Sequence, residues 1–129
     1  MELLVPVSPG EVLDKLTILR IKVVRIGDAG KLANVRRELE LLERTWRDSP
    51  YAGHDLTREV AALQAVNERL WDIEDRIRGK ERARSFDAAF IELARAVYVE
   101  NDERAAIKRR INVALGATLI EEKSYASYR

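Results

Sequence analysis

Apolar residues that return every three or four positions leave a chain few options. Each such run is one face of a helix that must be buried against another. Four runs of this kind cover most of the 129 residues. In the first, Val12, Leu16, Leu19, Val23 and Ile26 recur at spacings of 4, 3, 4 and 3. Leu13, Ile18, Ile21 and Val24 widen that stripe, as expected of a central helix touched on several sides. "SPGE", Ser8 to Glu11, predicts its start, with a serine cap, a proline at the first helical position and a glutamate to complete a capping box. Gly27 and Gly30 predict its end. The second stripe is Leu32, Val35, Leu39, Leu42 and Trp46. The third is Leu63, Val66, Leu70, Ile73 and Ile77, capped by Asp55 and ended by Gly79. The fourth is Phe86, Phe90, Leu93 and Val97, resuming at Ile107, Ile111 and Ala114, with Ser85 as cap and Gly116 as stop. The expected helices are about 9–26, 31–47, 56–78 and 86–115, in one helical domain over residues 1–129. "DSPYAGHD" and "KERAR" read as connectors.

Short connections make consecutive helices antiparallel neighbours. The expected fold is therefore all-α, an antiparallel four-helix bundle with a long C-terminal helix and short extended tails. At 1.5 Å per residue the first helix is roughly 27 Å long and the fourth roughly 43 Å. The fourth must overhang its neighbours, and the overhang needs cover. The tails "LLVPV" and "ATLIEEKSY" are apolar enough but short, so a homodimer or a partner protein is expected to complete it.

Charge and composition exclude several classes. Lys+Arg is 23 and Asp+Glu is 22, so no field favours nucleic acid or an anionic membrane. The basic clusters "KERAR" and "IKRR" lie among acids and lack the aromatic spacing of a single-strand binder. The absence of cysteine removes disulfides, thiolate metal sites and cysteine nucleophiles. No apolar run spans a bilayer, and "MELLVPVSPGE" lacks the basic start of a secretory signal. These features point to a soluble, cytoplasmic chain of bacterial type. There is no glycine-rich phosphate loop, zinc motif or nucleophile elbow. His54, between Gly53 and Asp55, reads as a loop residue rather than a general base. Neither cofactor nor metal is expected, and catalytic residues are unknown, with Asp14 or Glu100 the candidate proton carriers were the chain an enzyme.

The fourth stripe carries the one irregularity. In "VYVENDERAAIKRR", Glu100, Asn101 and Arg104 fall where apolar residues should continue. Asn101, Arg104 and Lys108 share a helix face. Arginine and lysine so placed can clamp a carboxylate or phosphate, arginine with a planar fork. Asp14 and Lys15, on the first helix, and Glu121 and Tyr125, on a C-terminal tail expected to fold back with Glu122 and Lys123, would complete such a site. Two structural explanations compete. Asn101 or Asp102 caps a new helix after a kink, or Arg104 pairs with Asp14 or Glu11 and fixes helix register.

Three acidic pairs stand at i, i+3: Glu40 with Glu43, Asp72 with Asp75, and Glu100 with Glu103. Paired carboxylates on facing helices can hold Mg²⁺. "ELLE" and "DIED" loosely resemble the all-helical nucleotide pyrophosphatases, but Asp72 stands where that pattern has glutamate. Pairing along the helix accounts for these acids more simply: Glu40 with Arg36 or Arg44, Glu43 with Arg47, Asp72 with Arg76, Glu74 with Arg78. Of the aromatics, the phenylalanines read as core and the tryptophans as closing bundle ends or a dimer surface.

"GEVLDKLTILRIKVVRI", "NERLWDIEDRIR", "FIELARAVYVENDERAAIKRRIN" and "EEKSY" together resemble a family of small bacterial all-helical proteins of unknown function, over nearly the whole chain. The resemblance implies a module that occurs alone or attached to larger proteins, some concerned with sugar transfer or carrying helical repeats. It brings no catalytic residues. Two functions are expected. The first is a non-catalytic helical interaction or scaffold module associated with glycan or polysaccharide assembly. The alternative is a small enzyme or binding protein for an anionic metabolite, built on the polar band of the fourth helix.

Overall fold

The computed structural model describes Met1–Arg129, with four helices and no strand. They are α1 (Pro9–Arg25), α2 (Ala29–Arg47), α3 (Thr57–Arg82) and α4 (Ala88–Ala114). They form an antiparallel helical bundle. The ion pair Arg20–Glu43 joins α1 to α2, Arg69–Glu100 joins α3 to α4, and Arg104–Asp14 joins α4 back to α1. α1 lies against all three other helices, whereas α2 approaches α1 alone. The width of the α1 stripe is the reason, since one helix must serve three neighbours.

The helix ends follow local chemistry. Ser8 Oγ accepts from Glu11 N at 3.2 Å, with Pro9 opening the first turn. Glu11 does not close the capping box, because its carboxylate goes to Lys108 on α4. Gly30, expected between helices, lies in the first turn of α2, where Asp28 accepts from Lys31 N at 2.8 Å. Asp55 acts one residue early, accepting from the amide and hydroxyl of Thr57. α3 runs on through Gly79 and takes in most of "KERAR". A mid-helix glycine costs only about 1 kcal/mol, and the extra turn brings Lys80 within 2.9 Å of Asp87. Asp87, rather than Ser85, caps α4 by accepting from Phe90 N. Phe86, expected in the core, therefore lies outside the helix and is 53% exposed. At the far end Gly116 takes φ 64, and Ala117 N bonds to Asn112 O, a turn that glycine closes without strain.

The core sits where α1, α3 and α4 meet. Val12, Leu13, Leu16, Leu63, Val66, Ile107 and Ile111 form one buried cluster, with Leu39, Leu42 and Trp46 of α2 laid on it. Each fully buried Leu, Ile or Val contributes roughly 1.5–3 kcal/mol. Gly10 sets how closely α1 meets α4. A Cβ there would lie 2.7 Å from the Lys108 carbonyl oxygen, and its amide donates to Asn112 Oδ1 at 2.8 Å.

α4 is unbroken through Asn101, so the kink explanation for the polar gap falls. Nor does α4 overhang alone. α3 has 26 residues and α4 has 27, against 17 in α1 and 19 in α2. What projects is an α3–α4 hairpin, extending beyond the end of α1. The tails do not cover it. Met1 to Val7 are exposed, and the C-terminal tail runs back along α4 from Gly116. No helix is long and apolar enough to cross a membrane.

Candidate functional site: a buried Asp14–Arg104 network beneath an open groove

Arg104 falls on the apolar side of α4 because the opposite wall offers it a carboxylate. Asp14 of α1 is fully buried, at 0% exposure. Its Oδ1 accepts from Arg104 Nε and from Asn67 Nδ2, each at 2.9 Å. Its Oδ2 accepts from Arg104 Nη2 and from Nε at 3.1 Å. Asn67 Nδ2 also donates to Thr17 Oγ1 at 2.9 Å, and that hydroxyl donates to the Asp14 carbonyl oxygen at 2.8 Å. No buried side-chain polar atom is left without a partner. That completeness is what allows a carboxylate in such a place. The guanidinium pKa is raised further, first by the hydrogen bond to Asp14, against the opposing effect of burial.

One turn along, Lys108 Nζ lies 2.6 Å from Glu11 Oε2 and 3.2 Å from Glu121 Oε2. Burial pulls its pKa down, but the hydrogen bond and charge of Glu11, with Asp14 and Glu121, outweigh it and leave it raised. Further along the tail, Arg109 pairs with Glu122 at 3.0 Å and Lys123 with Asp102 at 3.5 Å.

Of the residues expected at the site, Asp14, Asn101, Arg104, Lys108 and Glu121 come together. Asn101 Oδ1 is 3.5 Å from Arg104 Nη1. Lys15 is exposed and takes no part. Tyr125 is 84% exposed, with Lys123 over its ring, and stands outside the band. Thr17, Asn67 and Asn112 were not anticipated. Thr17 stands midway between Leu13 and Ile21, and Asn67 four residues after Leu63. Both are polar residues inside apolar stripes, the same signal that Arg104 gives.

Next to the network, α1, α3 and α4 frame an open groove of about 600 Å³. Ile18, Ile21, Leu70 and Trp71 wall it, Glu74, Asp75 and Arg78 rim it, and Asn101 and Arg104 lie at its foot. Beside it, Arg25 pairs with Asp72 at 2.5 Å and sits over the Trp71 ring.

Four of the six paired acids meet arginines, three of them across helices rather than along one. Glu43 faces Arg20 and Asp72 faces Arg25, both on α1, in place of Arg47 and Arg76. Glu40 pairs with Arg44 and Glu74 with Arg78, along the helix. Glu100 pairs with Arg69. No three His, Cys, Asp or Glu residues converge as metal ligands would. His54 is exposed, its Nδ1 3.3 Å from the Tyr51 carbonyl oxygen.

No curated protein and no solved structure matches the chain. One family model does, over residues 3–128, from the tail before α1 to the strap that returns along α4. The chain thus belongs to DUF6165, a family of unknown function.

Proposed function

We propose that this chain is a non-catalytic helical interaction module. One observation supports it above the others: both cations of the polar band are engaged by carboxylates of the same chain. Arg104 is held by Asp14, and Lys108 by Glu11 and Glu121. An incoming anion would have to displace one of them. A buried ion pair of this kind does little for net stability but fixes which turns of α1 and α4 face each other. A module that presents helix faces needs that register. The resemblance adds a setting in glycan assembly, so an enzyme of that process is the first partner class to test.

The anion-site reading keeps one observation of its own. Arg104 Nη1 reaches only Asn101, at 3.5 Å, and lies at the foot of the groove. Thermal melts separate the two. A ligand that binds only the folded state at about ten times its Kd stabilises by about 1.4 kcal/mol. Inorganic phosphate, a sugar nucleotide and a dicarboxylate at millimolar concentration are expected to leave Tm unchanged. A rise of several degrees that Arg104→Lys abolishes would establish the anion site instead.

A further inference from the structure

We propose that the line Tyr98–Asp102–Arg109 of α4, with Lys108 beside it, is a docking seat for an extended acidic segment of a partner protein, and that the C-terminal strap occupies this seat in cis as a tethered competitor. The inference rests on the interaction-module reading and adds to it the surface and the chemistry of the partner.

The first observation is the order of charges. Tyr98, Asp102 and Arg109 follow at spacings of 4 and 7, so they lie on one face of α4. The strap, residues 116–129, runs back over that face. Each charge of its "EEK" meets the opposite sign: Glu121 on Lys108, Glu122 on Arg109 and Lys123 on Asp102. Tyr128 then closes edge-on against Tyr98, with ring centroids 4.8 Å apart. The strap is thus a template for what the seat takes: two adjacent carboxylates, a base after them, and an aromatic ring six residues beyond the second acid.

The second observation is how little else holds the strap. No residue from Glu121 to Arg129 is buried. Beyond Ala117 no backbone group of the strap bonds to the bundle. An open pocket of about 440 Å³ lies between residues 123–129 of the strap and Tyr98 and Asp102 of α4. Exposed ion pairs add little each and weaken with salt. The two carboxylates on Lys108 are therefore unequal. Glu11, fixed in α1, lies 2.6 Å from Nζ and is 26% exposed, whereas Glu121 lies at 3.2 Å and is 56% exposed. Glu121 is the one that an incoming acid displaces, and Glu122 goes with it.

The third observation is what remains once the strap lifts. Arg104 keeps Asp14 and Lys108 keeps Glu11. Arg109 loses its one carboxylate, and Arg110 beside it has none. Asp102 and Glu103 stand roughly 10 Å further along α4 from Arg109. The root of the seat is then basic while its far end keeps Asp102 and Tyr98. A segment with the strap's order of charges restores the balance, and one with the signs reversed opposes like charges at each rung.

The probe is a labelled peptide of the strap's own sequence, residues 117–128, titrated into the full chain and followed by fluorescence anisotropy. A competitor on a short tether acts at millimolar effective concentration, so a seat with a Kd of about 100 μM is roughly tenfold harder to reach while the strap is down. Glu121→Lys with Glu122→Lys, and the milder Glu121→Gln with Glu122→Gln, lift the strap and should leave helical circular dichroism unchanged, since both positions lie outside the helices. Each variant chain is expected to bind the peptide about tenfold more tightly than the unmodified chain, less so as salt is added. Arg109→Glu in either background should abolish the gain, and a peptide with lysine at both glutamate positions should not bind. Equal affinity for the unmodified and strap-variant chains, or no binding at about 1 mM peptide, overturns the proposal and leaves the module reading to its own melts. Sedimentation of the unmodified chain is expected to give a monomer of 14.8 kDa. A dimer that both strap variants abolish would give the seat to the strap of a second copy and overturns the proposal as well.

Discussion

Arg104 shows what a polar residue in an apolar stripe can mean. Its guanidinium is partly exposed, yet its partner Asp14 is fully buried. The pair is therefore asymmetric, and removing the arginine strands a buried carboxylate. Arg104→Leu fills the gap in the stripe and is nevertheless expected to destabilise. Asn67 would go on donating to Asp14, so the loss falls at the low end for a broken buried pair, about 3 kcal/mol. For a chain of this size that lowers Tm by roughly 10 °C. An unoccupied anion clamp would respond in the opposite direction, with a rise. Exchanging Asp14 as well, in Asp14→Leu with Arg104→Leu, should recover part of the loss, since no charge is then left buried. The stripe made Arg104 legible and offered Asp14 or Glu11 as its partner. It could not choose between them, because the choice depends on the axial offset of α1 against α4, and Glu11 went to Lys108 instead. Lys15 and Tyr125 were misplaced for a related reason. Nearness along the chain does not tell which way a side chain leaves a helix or a returning tail.

At the scale of elements, periodicity carried the helices, and their ends depended on single side chains. Gly79 read as a stop from sequence because glycine is a poor helix former, but the Lys80–Asp87 pair is available only if α3 continues past it. Phe86 read as core because it keeps the spacing of the fourth stripe. Capping at Asp87 leaves it outside the helix. Two helical glycines, Gly10 and Gly79, separate propensity from packing. Gly10→Ala improves helix propensity, yet its Cβ would stand 2.7 Å from a backbone oxygen of α4. The helices must part and the bond to Asn112 must lengthen, so a net loss of about 1–3 kcal/mol is expected in urea melts. Gly79→Ala, where a Cβ meets open space, should gain up to about 1 kcal/mol. If both variants gain, propensity governs and the close approach of α1 to α4 carries no weight.

In the whole molecule stability is unevenly distributed, and the distribution follows from which helix touches which. α1, α3 and α4 share the buried cluster at the end of the bundle where Gly10 meets Asn112. α2 leans on α1 alone and buries only Val35. The sequence showed four stripes of similar strength, so α2 looked equal to the others. What it could not show is that the Asp14–Asn67–Arg104 network draws α3 and α4 together on α1 and leaves α2 outside. Local opening costs least where few apolar contacts break. Amide exchange should therefore be fast over much of α2, slow around Leu63–Asn67 and Ile107–Ile111, and intermediate in the hairpin beyond Asp72. If α2 exchanges as slowly as Leu63–Asn67, one neighbouring helix holds it as firmly as two hold α3, and the ranking by neighbours fails.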